Sequence, residues 1–500
     1  MSLLTKKVLI DAIGGEELFA TVQKNKKFSF TSVVIDSRDV RKDSLFVPLV
    51  GQMQDGHKYV EQAQKAGASV ILVNKSSLAE YQEIYKNIVS FGGYVFAVEN
   101  TLRALQNLAA AYVRKFPQLK KIAITGSSGK TTTKELIASV LKQKFNIVMT
   151  EGNLNSETGL PLSVFKIQKQ HEVGVFEMGM NRKGEISELA DVLFPDIAVI
   201  TNIGTAHIGI LGSKEAIAQE KKQIFKNFSK HCVAFIPNDE NKEFLSKNVL
   251  GKIIYYGKNS NNEINKENKN DVTNLQKNVV NNVLEQGLNG TDFVLDGIRI
   301  HLPLPGEYNF HDALAAIAVG KYLGLTTTQI ACGIESIKPL FGRSQVIENY
   351  FTIVQDCYNA NLDSMLQSIK LCDTSVVSGK KIYILGDMLE LGEKSKISHL
   401  QVCERILDSD AKLVILVGEE FCSVYKSMSK SAKNRFHKNI TVYTFPSLSI
   451  DAIKKIKQIL FDFLLKKDFI LLKGSRSMRM ERLTSILSDI SCEKREGNNV

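Results

Sequence analysis

Residues 121–134, KIAITGSSGKTTTK, constrain the fold of this chain more than any other stretch. An apolar, β-branched run predicts a strand, a glycine-bounded loop follows, and a helical pattern begins at Lys130. Gly126 and Gly129 permit backbone N–H groups to turn toward an anion, and the helix N-terminus adds its positive dipole end. The pattern therefore predicts a phosphate-binding strand, loop and helix.

The match to the phosphate-loop pattern is incomplete. The full G-x-x-x-x-G-K-[ST] pattern would have glycine where Ile124 stands, so the chain carries a shortened T-G-S-S-G-K-T form. A glycine turn followed by a threonine-capped helix is the alternative. Lys130 would reach the β- and γ-phosphates and the Thr131 hydroxyl would face Mg²⁺, and both residues favour phosphate binding.

Composition restricts the function classes. The 500 residues predict about three domains. The formal net charge of +11 comes largely from scattered lysines, which we interpret first as solvated surface and second as a mild attraction for phosphorylated or carboxylate substrates. The pattern does not favour nucleic acid. Seven widely spaced cysteines without a C-x-x-C pair indicate a reducing compartment. The first residues lack the apolar segment of a signal peptide, and no apolar run approaches the ~20 residues of a membrane span. We therefore expect a cytoplasmic protein.

Alternating strands and helices predict an α/β protein of three domains. Residues 1–114 would form a small α/β domain, and residues 115–340 a central parallel sheet around the phosphate loop. Residues 341–500 would form a second parallel domain, doubly wound and Rossmann-like. The central domain contains an Asn/Lys-rich stretch, about 258–282, which we interpret as an exposed, mobile loop.

Three further residues of the central domain are candidates for the same chemistry. Glu177 ends the predicted strand 172–177, and the carboxyl ends of parallel strands gather ligands, so its carboxylate is a candidate Mg²⁺ ligand. His207 follows the predicted strand 196–202 and Lys221 lies on a predicted helix, but an isolated histidine or lysine is more often structural or exposed. The residues predict phosphate and Mg²⁺ chemistry. They leave open a kinase, an ATPase, a GTPase switch or an ATP-dependent ligase.

Several segments, in order along the chain, resemble the Mur ligase family of ATP-dependent amide-bond-forming enzymes of peptidoglycan synthesis. They are TGSSGKTTTKE, EGNLNSETGLP, FEMGMNRKGEI, TNIGTAHIGILGS, PGEYNFHDALAA, GRSQ, DCYNANLDSM, LGDMLELGEKS and LLKGSRSMRME. The last three look similar to the family member that adds D-alanyl-D-alanine to UDP-N-acetylmuramoyl-tripeptide. A folate polyglutamate-adding ligase and a regulatory phosphate-loop ATPase are the alternatives.

The resemblance implies a reaction and its participants. ATP would convert the terminal carboxylate of UDP-N-acetylmuramoyl-tripeptide into an acyl phosphate, and the amine of D-alanyl-D-alanine would then form the amide. Two Mg²⁺ ions would assist. No nucleic acid and no membrane span are implied, and we expect a monomer.

The resemblance also assigns roles to site residues. The catalytic residues would be Lys130, Lys221, His207 and Glu177. The nucleotide would contact Thr125, Gly126, Ser127, Ser128, Gly129, Lys130, Thr131, Thr132, Asn309, Arg343 and Asp356. The Mg²⁺ ligands would be Thr131, Glu177, His207 and Lys221. Lys221 would be carbamylated, because CO₂ converts its amine into a carboxylate-like ligand. The UDP-substrate and the dipeptide would contact Ser37, Arg38, Asp55, His57, Asn153, Asn155, Tyr358, Asn359, Asn361, Lys473, Ser475 and Arg476.

Four positions depart from the family pattern. Asp312 stands where the family commonly has Asn, Gln223 where it has Glu, Ser156 where it has Asn, and Cys357 where it has Ser. The first change would alter an adenine contact. None removes a metal ligand or the phosphate loop, so we expect an active enzyme.

Overall fold

In the described part of the chain the strands form four sheets, and three of these sheets are wholly or mainly parallel. We call the parts of the chain that carry those three sheets the N-terminal, central and C-terminal units. No helix in the described part of the chain has both the length and the apolar character that crossing a bilayer requires. The computed structural model describes residues 2–19, 28–51, 53–257, 280–429, 433 and 439–496.

The N-terminal unit is built on a five-stranded sheet with the order β1-β5-β4-β3-β2. Its strands are β1 (Glu16–Glu17), β2 (Ser32–Val34), β3 (Ser44–Phe46), β4 (Ala68–Asn74) and β5 (Tyr94–Val98). Its helices are α1 (Lys6–Ile13), α2 (Val60–Lys65), α3 (Leu78–Ser90) and α4 (Thr101–Val113). Strands β2 to β5 are parallel, whereas the edge strand β1 pairs antiparallel with β5.

The central unit contains a six-stranded sheet with the order β11-β10-β9-β6-β8-β7, and every pairing in it is parallel. The predicted parallel sheet is confirmed. Its strands are β6 (Lys120–Thr125), β7 (Ile147–Met149), β8 (Val173–Glu177), β9 (Ile197–Ile200), β10 (Val233–Pro237) and β11 (Lys252–Tyr256). Its helices are α5 (Lys130–Leu141), α6 (Gly159–Val164), α7 (Glu185–Leu193), α8 (Ile208–Leu211), α9 (Lys214–Lys222), α10 (Lys242–Ser246), α11 (Glu307–Tyr322) and α12 (Thr327–Glu335).

A three-stranded antiparallel sheet, absent from the sequence prediction, lies between β11 and α11 in the chain. Its strands are β12 (Val280–Glu285), β13 (Thr291–Leu295) and β14 (Ile298–Leu302). Most of the Asn/Lys-rich stretch predicted to be a loop, residues 258–279, lies outside the described residues. Residues 280–282, the end of that predicted loop, belong to β12, so the prediction was wrong there.

The C-terminal unit has a six-stranded sheet with the order β15-β16-β20-β17-β18-β19. All its pairings are parallel except the edge pairing of β15 with β16. The strands are β15 (Gln345–Glu348), β16 (Thr352–Asp356), β17 (Lys381–Gly386), β18 (Ala411–Val417), β19 (Thr441–Phe445) and β20 (Phe469–Lys473). The helices are α13 (Leu362–Thr374), α14 (Ser395–Leu407), α15 (Glu419–Ser427), α16 (Ile450–Phe463) and α17 (Glu481–Glu496).

The predicted domain boundaries fall between elements, and they stay predictions. The first falls between α4 and β6, but one cluster of buried apolar side chains runs from the N-terminal sheet into the central unit. Tyr112 of α4 illustrates this continuity, because its hydroxyl donates to the Ile167 carbonyl at 2.8 Å and its ring packs on Phe165. The second boundary falls between α12 and β15.

Strand register brings the phosphate loop and its acidic neighbour together. Strands β8 and β9 flank β6, with Ile124 paired to Glu177 and Thr125 paired to Ile200. Because all three strands are parallel, the segments that follow them leave the sheet at the same edge. The loop after β6 therefore lies between Glu177 and the segment that carries His207.

Candidate active site

The phosphate loop is a tight turn that requires glycine at both of its ends. Gly129 has φ +76°, and a Cβ built on it would lie 2.4 Å from Oδ1 of Asp312. A Cβ on Gly126 would lie 1.7 Å from Oγ1 of Thr201. Side chains cannot occupy these positions without moving the neighbouring elements. Close packing at both positions therefore explains why the chain has glycine at 126 and 129.

The segment after β9 holds the phosphate loop in place. Thr201 Oγ1 donates to the Ser128 carbonyl at 2.6 Å, and the Ser128 N–H donates to Asn202 Oδ1 at 3.0 Å. The Gly204 N–H donates to Ser127 Oγ at 2.8 Å. Asn202 was not predicted as a site residue, although it follows the same strand as His207. These hydrogen bonds tie the loop to the segment 201–204.

Lys130 and Thr131 open helix α5 beside Glu177. Lys130 Nζ donates to the Gly126 carbonyl at 2.8 Å, and Thr131 Oγ1 donates to Glu177 Oε2 at 2.8 Å. Burial lowers the pKa of the Lys130 ammonium, which the nearby Glu177 opposes and the positive Arg343 reinforces. The loop thus holds a buried amine that an anionic ligand would favour in its charged form.

Glu177 and its neighbour Thr131 each accept a hydrogen bond from another part of the chain. Only 1% of its surface is exposed, and its Oε1 accepts from Asn155 Nδ2 at 2.6 Å. Arg343 Nη2, from the loop before β15, donates to Thr131 Oγ1 at 2.8 Å. A hydroxyl and a carboxylate oxygen at hydrogen-bonding distance are the donor types that Mg²⁺ prefers. In the described residues no three His, Cys, Asp or Glu side chains cluster to hold a metal, so the predicted site depends on Thr131 and Lys221 as well.

Lys221 lies on α9 with 1% of its surface exposed, so the surface location expected of an isolated helical lysine was wrong. Burial lowers its pKa well below the usual value, and the charge of Lys130 lowers it further, against an opposing effect of Glu220. The amine is therefore neutral far more readily than an exposed lysine. Its side chain is not among those that line the cavity described below.

His207 is the N-cap residue of helix α8 and has φ +64°, a left-handed conformation that is uncommon for a residue other than glycine. Its Nδ1 lies 2.8 Å from Oε2 of Glu390 in the C-terminal unit, an ion-pair distance, although this nitrogen has no hydrogen-bond partner among the described residues. His207 lines the cavity together with Glu177. Glu390 was not predicted as a site residue, although its segment LGDMLELGEKS was singled out.

The C-terminal wall of the site is organised by Asp356 and Lys473, which end the neighbouring strands β16 and β20. Lys473 Nζ donates to Asp356 Oδ2 at 2.6 Å, and 1% of the lysine side chain is exposed. Ser368 Oγ also donates to Asp356 Oδ2, at 2.6 Å, and the Ser344 N–H donates to Oδ1 at 3.2 Å. The carboxylate is therefore held by three donors.

Two arginines lie near the ring of Tyr358. Their guanidinium carbons are 4.1 Å (Arg343) and 5.7 Å (Arg476) from the ring centroid. Asn361 caps α13 by accepting from the Ser364 N–H at 2.9 Å. The positive charge on this wall suits a carboxylate or phosphate ligand.

The four departures from the family pattern have different surroundings. Burial raises the pKa of Asp312 to about 8, and its carboxyl group lies against the phosphate loop. Burial likewise raises the pKa of the Cys357 thiol to about 12. Ser156 lines the cavity, and Gln223 lies in the turn after α9, where its Nε2 donates to the Gln219 carbonyl at 3.4 Å.

A cavity of about 910 Å³ brings most of the predicted residues together, and both the central and C-terminal units line it. The predicted residues that line it are Ser127, Ser128, Gly129, Lys130, Thr131, Thr132, Asn153, Asn155, Glu177, His207, Asn309, Arg343, Asp356, Tyr358, Asn359, Asn361, Lys473, Ser475 and Arg476. The predicted residues outside its lining are Thr125, Gly126, Lys221, Ser37, Arg38, Asp55 and His57.

The predicted N-terminal residues form a separate group. Ser37 Oγ donates to Gln62 at 3.2 Å, and 81% of the Arg38 side chain is exposed. His57 is buried, and its Nε2 accepts from the Asn74 N–H at 2.9 Å. Its proton is therefore on Nδ1, which donates to Asp55 at 2.6 Å. Both ring nitrogens of His57 are used within the unit.

Comparison with known proteins covers almost the whole chain. Family models match residues 29–113 (Mur ligase family, catalytic domain), 124–320 (Mur ligase middle domain) and 342–476 (Mur ligase, glutamate ligase domain). The UDP-N-acetylmuramoyl-tripeptide–D-alanyl-D-alanine ligase of Treponema pallidum is 41% identical over 458 residues, which are 92% of this chain and 94% of that protein.

Solved structures agree with the sequence relatives. MurF from Acinetobacter baumannii superposes with a TM-score of 0.80 and 25% identity, covering 97% of this chain and 98% of that one. MurF ligase from Thermotoga maritima in complex with ADP superposes with a TM-score of 0.73 and 27% identity, covering 93% and 98%. The predicted α/β architecture is confirmed.

Proposed function

The chain belongs to the Mur ligase family, and from this we propose that it is the ATP-dependent ligase that joins D-alanyl-D-alanine to UDP-N-acetylmuramoyl-tripeptide. One observation carries the proposal: the phosphate loop lines the same cavity as Asp356, Tyr358, Asn359, Asn361, Lys473, Ser475 and Arg476. Ligation requires such a cavity, because ATP, a carboxylate and an amine must meet there. The product is the pentapeptide precursor of peptidoglycan.

The first step brings together two groups that repel each other. A terminal carboxylate oxygen of the tripeptide attacks the γ-phosphorus of ATP, ADP leaves, and an acyl phosphate forms. Lys130 reduces the repulsion, because its ammonium lies at the phosphate loop, and Arg343 adds a second positive charge. The dipeptide amine then attacks the acyl carbon, and phosphate leaves.

The residues beside the phosphate loop suit Mg²⁺. Thr131 and Glu177 offer a hydroxyl and a carboxylate oxygen 2.8 Å apart, and His207 lines the same cavity. We assign two Mg²⁺ ions to Thr131, Glu177, His207 and carbamylated Lys221. Bound Mg²⁺ supplies neutralisation of the polyphosphate and polarisation of the phosphoryl oxygens.

Carbamylation of Lys221 needs a neutral amine, and the burial of this side chain favours that form. The amine attacks CO₂, an N–C bond forms, and one proton is released. The new carbamate carries a negative charge that would offset Lys130 and give Mg²⁺ an oxygen ligand.

The remaining predicted residues would contact ATP, the dipeptide or the UDP-linked substrate. Tyr358, Asn359 and Arg476 would receive the dipeptide and the acceptor peptide, and Asn309 and Asp356 would contact ATP. Ser37 and Arg38 would meet the UDP end, with Asp55 and His57 holding the adjoining loop.

The domains would be residues 1–114, 115–340 and 341–500. The protein would be a monomer. It would act in the cytoplasm, where ATP is available.

The decisive assay measures phosphate release from ATP with each substrate omitted in turn. We expect turnover only when UDP-N-acetylmuramoyl-tripeptide and D-alanyl-D-alanine are both present. Turnover with glutamate and a folate in their place would identify the polyglutamate-adding ligase instead. ATP hydrolysis that needs neither substrate would identify a phosphate-loop ATPase.

A further inference from the structure

Residues 387–394 of the C-terminal unit, DMLELGEK, contact the segment that carries His207. We call these residues the strap. The Gly209 N–H of α8 donates to the Glu390 carbonyl at 3.1 Å, and Glu390 Oε2 lies 2.8 Å from His207 Nδ1. One residue of the strap thus contacts the central unit through both its backbone and its side chain.

The approach of the two backbones depends on a pair of glycines. A Cβ built on Gly209 would lie 2.4 Å from the Gly392 nitrogen and 2.6 Å from the Glu390 oxygen. A Cβ on Gly392 would lie 2.9 Å from the Gly209 Cα. Any side chain at either position would push the strap away from α8. The contact therefore permits no residue but glycine on either side.

Both residues of the His207–Glu390 contact have left-handed backbones. Each has φ +64°, a conformation that side-chain-bearing residues adopt only where the surroundings impose it. The left-handed turn at His207 starts helix α8, and the one at Glu390 precedes the turn 392–394. Such conformations persist when neighbouring contacts fix them, and they concentrate at functional positions.

The strap is fixed to its own unit, so it moves with that unit. His399 Nε2 accepts from the Met388 N–H at 3.0 Å, and Ser475 Oγ accepts from the Leu389 N–H at 2.9 Å. The Asp387 carboxylate accepts from the Glu420 and Phe421 N–H groups at the start of α15, at 3.0 and 2.9 Å. Glu390 therefore reaches His207 only when the C-terminal unit is docked.

A second contact between the units lies next to the first. Asp363 in the first turn of α13 accepts from the N–H and the hydroxyl of Thr205, at 2.7 and 2.8 Å. Thr205 is two residues before His207, so both contacts hold the same short segment. The C-terminal unit thus contacts the segment around His207 at two points, through Glu390 and through Asp363.

We propose that Glu390 is a positioning residue that orients the His207 ring, so that docking of the C-terminal unit completes the Mg²⁺ site of the central unit. A carboxylate on one ring nitrogen of a metal-binding histidine fixes the tautomer and leaves the other nitrogen for the metal. Here the Glu390 carboxylate lies 2.8 Å from Nδ1, which leaves Nε2 as the nitrogen for the ion. The inference rests on the proposed function, because His207 is a proposed ligand there.

Ring-labelled [¹⁵N]histidine NMR of the full chain without substrates tests the contact directly. The chain has eight histidines, and His207→Asn identifies the signal of interest. We expect Glu390→Ala and Gly209→Ala to change the ring ¹⁵N shifts of His207 in the same way, since both remove the carboxylate from Nδ1. Glu390→Gln keeps an oxygen acceptor and should retain most of the wild-type signal.

The matched control is Glu393→Gln, an exposed carboxylate in the same strap, which should leave the His207 signal unchanged. In turnover assays, Glu390→Ala should raise the Mg²⁺ concentration for half-maximal rate by about 10- to 100-fold, with little change in KM for the dipeptide. If Gly209→Ala does not fold, Glu390→Ala and Glu390→Gln decide the question.

The proposal is overturned if His207 shifts are the same in wild type and Glu390→Ala. It is also overturned if Glu390→Ala raises only the dipeptide KM, because Glu390 would then contact the substrate and not act through His207. The NMR result needs no substrate. It therefore stands apart from a failure of the proposed ligase activity, which the substrate-omission assay detects.

Discussion

The buried pair of Lys473 and Asp356 gives a stability prediction that can be worked from the structure. The two side chains are 1% and 14% exposed and lie 2.6 Å apart at the ends of adjacent strands. Lys473→Met keeps the length of the aliphatic chain and removes the charge. Asp356 then remains as a largely buried carboxylate that still accepts from the Ser368 hydroxyl and the Ser344 N–H.

The cost follows from the general behaviour of buried ion pairs. Breaking such a pair by removing one partner costs about 3–5 kcal/mol. Two hydrogen-bond donors to Asp356 remain and reduce the loss, so we expect a destabilisation of about 2–3 kcal/mol. For a unit of this size that lowers the apparent Tm by roughly 4–12 °C.

Thermal unfolding followed by circular dichroism measures this loss, with Lys466→Met as the control because Lys466 is exposed in the turn before β20. The double variant Asp356→Asn/Lys473→Met should be more stable than the sum of the two single losses predicts, since it leaves no unpaired charge. The reasoning is refuted if Lys473→Met lowers Tm no more than Lys466→Met, or if the two single losses simply add.

Three further outcomes follow from the site. Lys130→Ala should leave the fold intact and lower kcat by about 1,000-fold. Lys142→Ala, at the exposed end of α5, is the control and should keep wild-type turnover. Substantial activity in Lys130→Ala would remove Lys130 from the mechanism. Lys221→Ala should be inactive and partly restored by propionate, and wild-type-like activity would exclude a carbamate role. The pKa of Asp312, raised by burial to about 8, means that the folded protein keeps a proton that the unfolded chain loses near pH 4. The free energy of unfolding should therefore fall as pH rises from about 4 to 8, and Tm measured against pH should lose this slope in Asp312→Asn; an identical slope in that variant would contradict the assignment.

The sequence was most informative where function depends on local pattern. The strand, glycine loop and helix around Lys130 could be predicted because each part has a short-range signal, and parallel register then placed Glu177 beside the loop. Lys221 looked like a surface residue because an isolated lysine on a helix is usually exposed. Its burial arises from tertiary packing, which the spacing of apolar residues along the helix does not reveal.

Contacts between distant segments were beyond sequence reasoning. Glu390 and Asp363 meet residues of the central unit more than 150 positions away, and no spacing rule links them. The left-handed backbone of His207 also has no sequence signal, since residues other than glycine adopt it only in a few per cent of cases. The antiparallel sheet β12–β14 was missed because its first strand continues a polar, Asn-rich stretch that does not alternate in hydrophobicity.

The shared cavity has a consequence for the discovery of inhibitors. Its walls belong to two units, so a compound that contacts both walls binds a surface that exists in full only while the units are docked. Such a compound would stabilise the docked arrangement of the units. Its binding would raise the melting temperatures of the central and C-terminal units together. Its residence time should lengthen as it contacts more of both walls, because most affinity differences between related complexes lie in the dissociation rate.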